Sequence, residues 1–182
     1  MNSPDRSPEF PRALQAPSTQ TTGISPALIS QVMDASRQSP RGRVAMPFHK
    51  SCDDSLQRML NALQPGSYIP PHRHGSPPKA ESIVVLKGAI CYVGFSESGV
   101  IDTVLFAGSE CPFLGIDIDA NVYHTFFAIK PDTVLFEAKP GPYDEATDKQ
   151  FAPWAPAEGS VDSREFLAKL EELTRPSWKA EV

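Results

Sequence analysis

The chain has 182 residues, and 17 Lys and Arg against 22 Asp and Glu give it a net charge of −5. That length suits one domain with its own core, and the acidic balance argues against a nucleic-acid binder, which needs a basic face for phosphates. The 19 prolines are about twice the roughly 5% average and nearly exclude a helical bundle, because proline breaks helix interiors.

Residues 1–23 carry Pro4, Pro8, Pro11 and Pro17 among Ser, Thr and Gln. Such a segment buries too little apolar surface to offset its ordering entropy, so a disordered tail is expected. Its first residues lack the apolar run of a secretory leader, which makes the cytoplasm the expected location. Ser25-Pro26 reads as an N-cap followed by proline at the first helical position. Leu28, Ile29, Val32 and Met33 share one helical face, so a short helix is predicted to run to Gln38 and stop at Pro40.

Residues 55–63 are ambiguous. Leu56, Met59, Leu60 and Leu63 follow the period of a helix, yet Pro65-Gly66 leads directly into the extended run Tyr68-Ile69-Pro70-Pro71. From Lys79 to Lys130 the only proline is Pro112. Short β-branched and aromatic runs at 82–87, 89–95, 100–106, 113–118, 122–129 and 133–138 are separated by turn residues, which predicts an antiparallel sandwich or barrel. A proline-rich coil follows over 141–159. A last helix is predicted from Asp162, with Glu165 completing a capping box and Phe166, Leu167, Leu170 and Leu173 as its apolar face. The longest apolar stretch, 83–95, is broken by Lys87 and Gly88 and is shorter than the roughly 20 residues of a bilayer span. Cys52, Cys91 and Cys111 are irregularly spaced and predict inert thiols.

Chemistry concentrates in Pro71-His72-Arg73-His74. On a strand His72 and His74 point to one face, presenting two imidazoles side by side, while Arg73 points away. Glu81 and the distant His124 complete an inventory for a divalent metal. Each has an ordinary reading beside it: a solvated histidine pair, a surface carboxylate, a core histidine. Arg41, Arg43 and Arg58 suit an anionic group such as phosphate or carboxylate, or pairing with the many acids of this chain. His49 suits a general base, a substrate contact or a plain loop histidine. Glu137 and Lys139 alternate with Ala138 and so share a face. Trp154, between prolines, reads as a packing anchor.

The order of these residues resembles the first motif of the cupin superfamily. Gly66, His72, His74, Glu81 and Gly88 occupy its places, with five residues between Gly66 and His72 and six between Glu81 and Gly88. Six residues separate His74 from Glu81, more than the three or four of the common pattern. The second motif is represented by Asp119-Ala120-Asn121-Val122-Tyr123-His124, which keeps the turn and histidine without the usual Pro and Gly. Asn tolerates the left-handed conformation that the Gly would supply. A closer resemblance, to the WbuC family of cupin-fold metalloproteins, rests on several segments. They are Ser39-Pro40-Arg41-Gly42-Arg43, the His49 segment, Gln57-Arg58-Met59-Leu60, Pro71-His72-Arg73-His74, residues 136–143 and residues 148–156.

The resemblance implies an all-β cupin double-stranded β-helix, a jelly-roll barrel, over residues 24–160. A short N-terminal helix accompanies it, and a C-terminal helix and tail occupy 161–182. It implies that 56–63 is a strand, against its periodicity. It further implies one divalent transition metal (Fe, Zn, Mn or Ni) on His72, His74, Glu81 and His124, with His49, Arg41, Arg58 and Lys149 as candidate substrate contacts. The expected function is a metal-dependent enzyme, an isomerase or oxygenase, acting on a small polar molecule such as a sugar or sugar nucleotide. The family's association is with O-antigen gene clusters. A non-catalytic metal-stabilised barrel that binds or senses a small ligand is the alternative, and a metal-free epimerase using His72 as base is a third. The expected partners are a small molecule and a second copy in a homodimer, with no nucleic acid and no membrane.

Overall fold

The computed structural model describes residues 10–180, with side chains as far as Arg175. Helix α1 (Pro26–Gln38) begins where the cap was expected, the Ser25 hydroxyl accepting the Leu28 N–H at 3.2 Å. Ten strands follow: β1 (Arg43–Pro47), β2 (Leu56–Leu63), β3 (His72–Arg73), β4 (Glu81–Lys87), β5 (Ala89–Phe95), β6 (Ile101–Gly108), β7 (Gly115–Ile118), β8 (Tyr123–Ala128), β9 (Thr133–Pro140) and β10 (Gln150–Phe151). Helix α2 (Ser163–Ala180) closes the described chain. Among the described residues no helix is long and apolar enough to cross a membrane.

The strands form two five-stranded antiparallel sheets, ordered β1-β2-β9-β4-β7 and β10-β3-β8-β5-β6. From β2 onward the chain passes back and forth between the sheets, β2 to β3 to β4 to β5. After the β5–β6 hairpin it returns as β7, β8 and β9 beside the strands already laid down. That path is a cupin double-stranded β-helix, the jelly-roll barrel.

Alternation along each strand sorts the apolar residues into three layers. Leu63, Ile83, Val85, Ile90, Phe126 and Leu135 meet inside the barrel. Leu60, Ala62 and Val134 face outward and pack under Val32 and Met33 of α1. On the other sheet Cys91, Val93 and Phe127 pack outward against Leu167 and Leu170 of α2, so β5 is buried on both faces. Strand β2 thereby resolves its own ambiguity. The leucines that suggested one helical face belong to opposite faces of a sheet, Leu60 turned to α1 and Leu63 to the interior.

Three expectations are corrected. Leu173 is 55% exposed; the buried position on that turn of α2 is Thr174, whose hydroxyl donates to Leu170 O at 2.9 Å. Strands β1 and β10 are additions to the expected set, because their ladders depend on partners distant in sequence. Of the expected tail, residues 1–9 lie outside the described residues. Beyond them Ala13 bridges Ala45 in parallel, and Leu14 donates to Ala45 O at 2.7 Å and packs on the α1 layer. The unpaired edge of β1 supplies those partners, which composition cannot reveal.

Candidate metal centre

The loop between His74 and Glu81 returns the chain to the barrel despite its length. Lys79 and Asn121 both donate their N–H to His74 O, at 3.2 and 3.3 Å, which ties the turns before β4 and β8 together. Asn121 has φ +67°, taking the left-handed conformation expected in place of glycine. Gly88 marks the sharp turn out of β4 at φ +76°, where a Cβ would stand 2.8 Å from Thr133 Cα. Glu81 opens β4 opposite Ile118, and His72 of β3 lies directly opposite His124 of β8. The donor atoms of His72, His74, Glu81 and His124 consequently all lie within 4.8 Å of one another, and all four residues are buried.

The backbone orients the three imidazoles. His72 Nδ1 lies 2.9 Å from Pro70 O and His124 Nδ1 lies 3.0 Å from Val122 O. His74 Nδ1 meets Asp148 O. A carbonyl only accepts, so each Nδ1 carries the proton and each Nε2 presents a lone pair inward. His124 Nε2 is 3.2 Å from Glu81 Oε2 and His74 Nε2 is 3.5 Å from it. His74 Nε2 is buried with no hydrogen-bond partner. Tyr92 stacks on His124 with ring centroids 5.9 Å apart.

Electrostatics favour the ligand-competent states. Burial, followed by the Lys149 charge, holds the His72 pKa well below its ordinary value. Burial opposes ionisation of Glu81, but its neighbours His124, His74 and Glu137 outweigh it and its pKa is lowered. The residues fit a transition metal on donor chemistry. Three imidazoles and one carboxylate converge, a buried Nε2 lacks any hydrogen-bond partner, and outer carbonyls fix every ring. Donors at about 2.1 Å from an ion stand at most about 4.2 Å apart, so a contraction of about half an ångström suffices.

Around this tetrad runs a charged wall. Glu137 and Lys139 share the inward face of β9, as their alternation predicted, and both are buried. Burial and the neighbouring Glu81 push the Glu137 carboxyl well above its ordinary pKa, and Asn61 Nδ2 donates to it. Lys139 Nζ donates to Asp148 Oδ2 at 2.6 Å. Lys79 Nζ approaches Asp148 Oδ1 at 3.7 Å and donates to Pro142 O at 2.5 Å. Burial works against the Lys139 ammonium, yet Glu137, Glu81 and Asp148 raise its pKa overall. Lys149 keeps surface open to solvent, while its ammonium is set deep enough that desolvation, then Lys139, lowers its pKa. Glu137, Lys139, Asp148 and Lys79 are the wall residues that sequence reasoning did not assign to the site. Only the Glu-x-Lys alternation on β9 signalled two of them.

Of the four candidate substrate contacts, Lys149 lies beside the chamber and three lie elsewhere. Arg41 pairs with Glu158, its Nε donating to Oε1 at 2.7 Å, and Arg43 shares that carboxylate at 2.8 Å. Arg58 occupies an outward position of β2, and His49 Nδ1 lies 3.0 to 3.1 Å from the Arg58 backbone O and N. Arg73 points away from the tetrad, donating to Gln150 and Glu97 and capping the Tyr123 ring at 4.5 Å. Trp154 anchors the coil, with its ring 5.0 Å from Phe95 and its Nε1 donating to Glu97 O at 3.2 Å.

None of the curated proteins matches the chain. Among solved structures, oxalate decarboxylase of B. subtilis, in a single-residue variant, is 14% identical. It covers 53% of this chain and 24% of its own, with TM-score 0.43. The capsular polysaccharide assembling protein CapF of Staphylococcus aureus is 19% identical over 59% of this chain and 28% of its own, with TM-score 0.45. L-ribose isomerase of Cellulomonas parahominis is 16% identical over 67% and 72%, with TM-score 0.48. The chain thus spans about a quarter of the length of the first two. A family model described as a domain of unknown function (DUF6016) matches residues 24–105, which include His72, His74 and Glu81 and stop before His124.

Proposed function

We propose that this chain is a WbuC-type cupin metalloenzyme that acts on a small polar substrate, such as a sugar or sugar nucleotide, in polysaccharide biosynthesis. The observation that carries the reading is the charged wall beside the tetrad. A purely structural metal site needs its ligands and an apolar surround, whereas Lys139, Lys149, Glu137 and Asp148 present ionisable groups next to these donors. When bound, the ion supplies Lewis-acid polarisation of a substrate oxygen. The chain's own residues do the rest. Lys149, open to solvent, meets an anionic or oxygen-rich group at the mouth. Lys139, held by Asp148, fixes the wall against which that group is oriented. The apolar interior formed by Ile83, Phe126 and Leu135 keeps bulk water from the floor. The proposed setting is cytoplasmic, as a homodimer.

The test is metal content and edge spectroscopy on protein purified without chelators, followed by turnover of sugar phosphates and nucleotide sugars before and after chelation. The expected result is one ion per chain with an open coordination position, and turnover that chelation abolishes and metal restores. Wild-type protein without metal, or full turnover after chelation, overturns the reading. One observation favours a second reading. Four protein donors already converge, the number a closed structural site uses. A non-catalytic barrel that binds or senses a small ligand then predicts a closed shell and no turnover of any compound tested.

A further inference from the structure

The sequence singled out His49 and Arg58 as candidate substrate contacts, and the structure brings them together on the wrong side of the sheet for the metal chamber. On β2, Gln57, Asn61 and Leu63 point inward, while Arg58, Leu60 and Ala62 point outward. Helix α1 covers Leu60 and Ala62. Beside Arg58, the segment leading to the Ser25 cap crosses the sheet and leaves a cavity of about 510 Å³. Phe48 and Phe136 form its apolar wall with ring centroids 6.2 Å apart, Arg58 and Lys50 supply two positive charges, and Thr19 and Thr22 face them.

The guanidinium of Arg58 differs from those of four other arginines in this chain. Arg37 pairs with Asp34 and Asp132, Arg41 and Arg43 with Glu158, and Arg73 with Glu97. Arg58 has no ion pair among the described residues, and its Nε is buried without a hydrogen-bond partner. Among the described residues no carboxylate lines the cavity. An N–H removed from water without an acceptor is costly, and an arginine presents a fork suited to carboxylate or phosphate oxygens. His49 acts here as a positioning residue. Its Nδ1 lies within hydrogen-bond distance of the Arg58 backbone, holding the strand at that point.

From this combination we infer a second binding site, on the outer face of the barrel, for a small organic anion. Its carboxylate or phosphate lies on Arg58 and Lys50, and its flat apolar body lies against Phe48 and Phe136. The volume falls in the range of small-molecule pockets, roughly 300–1,000 Å³. Because Arg58 and the inward residues of β2 leave opposite faces of one sheet, the site is independent of the metal chamber and of the reading given for it.

Calorimetric titration of the full chain with benzoate and with phenyl phosphate tests this, with benzyl alcohol as the uncharged control. The relative affinity of the two anions distinguishes a carboxylate from a phosphate ligand. At least one anion binds more tightly than benzyl alcohol, and Arg58→Gln weakens it at least tenfold. Lys50→Gln, an exposed change that leaves the core untouched, weakens it at least threefold and decides the matter if Arg58→Gln does not fold. His72→Ala leaves the binding unchanged. Absence of binding by both anions at millimolar concentration overturns the inference. So does binding that survives Arg58→Gln and Lys50→Gln, or binding that is lost in His72→Ala.

Discussion

The interior of the barrel is two environments on the same strands. At one end β4, β8 and β9 contribute Ile83, Val85, Phe126, Ala128 and Leu135 to a dry apolar core. One or two inward positions further along, those strands carry Glu81, His124, Glu137 and Lys139. Both ends are buried, so exclusion from water is not what separates them. The difference lies in what compensates burial. The apolar end is stabilised by the area it removes from water, about 25 cal/mol per Å². The charged end stands only because each ionisable group faces an opposite charge, a backbone carbonyl or a site for an ion, since an uncompensated buried charge costs several kcal/mol.

The largest expected effect removes a ligand. His72→Ala and His124→Ala lower metal affinity by more than about 100-fold, read by competition with a chromogenic chelator; unchanged affinity in both variants removes the tetrad from consideration. Next comes the wall. Lys139→Met leaves Asp148 with the longer contacts to Lys79 and His74, and loss of one partner of a buried pair costs about 3–5 kcal/mol. Urea unfolding of the metal-free protein measures it, and a change below about 1 kcal/mol would mean the pair is solvated. At the apolar end Leu135→Ala costs about 2–5 kcal/mol in the same measurement, without altering metal stoichiometry.

The pH dependence of the metal-free protein sharpens the contrast between neighbours in one wall. His72 is held neutral well below 6.5. The unfolded chain therefore binds the extra proton below that pH, and this contribution is present above 6.5 and lost as pH falls. Glu137 is held protonated well above 4.5. Its contribution has the opposite sign, present below 4.5 and lost as pH rises toward the folded-state pKa. Between the ordinary values of 4.5 and 6.5 the two oppose each other. In Glu137→Gln, stability rises with pH more steeply than in the wild type, by at most about 1.4 kcal/mol per pH unit. Parallel profiles of the two proteins would sink this assignment. The smallest expected effect is at Leu173, where Leu173→Ala changes stability by no more than about 0.5 kcal/mol because the side chain is exposed.

Much of the architecture was legible because it is local or periodic. The Ser25 cap, the strand runs from Glu81 to Pro140, the side-by-side pair His72 and His74, and the left-handed turn at Asn121 each follow from a few adjacent residues. The resemblance in spacing brought Glu81 and His124 to that pair, although 50 residues separate His124 from His74. By itself, then, the sequence determined a turn-rich β-barrel with a clustered donor set. Only the tertiary structure decided which carbonyls orient the imidazoles, since Pro70, Asp148 and Val122 reach the rings through loop geometry. It also decided that Arg41 serves Glu158 and that His49 and Arg58 stand outside the chamber. Strand alternation tells which residues share a face, but which face becomes the inside depends on partners distant in the chain.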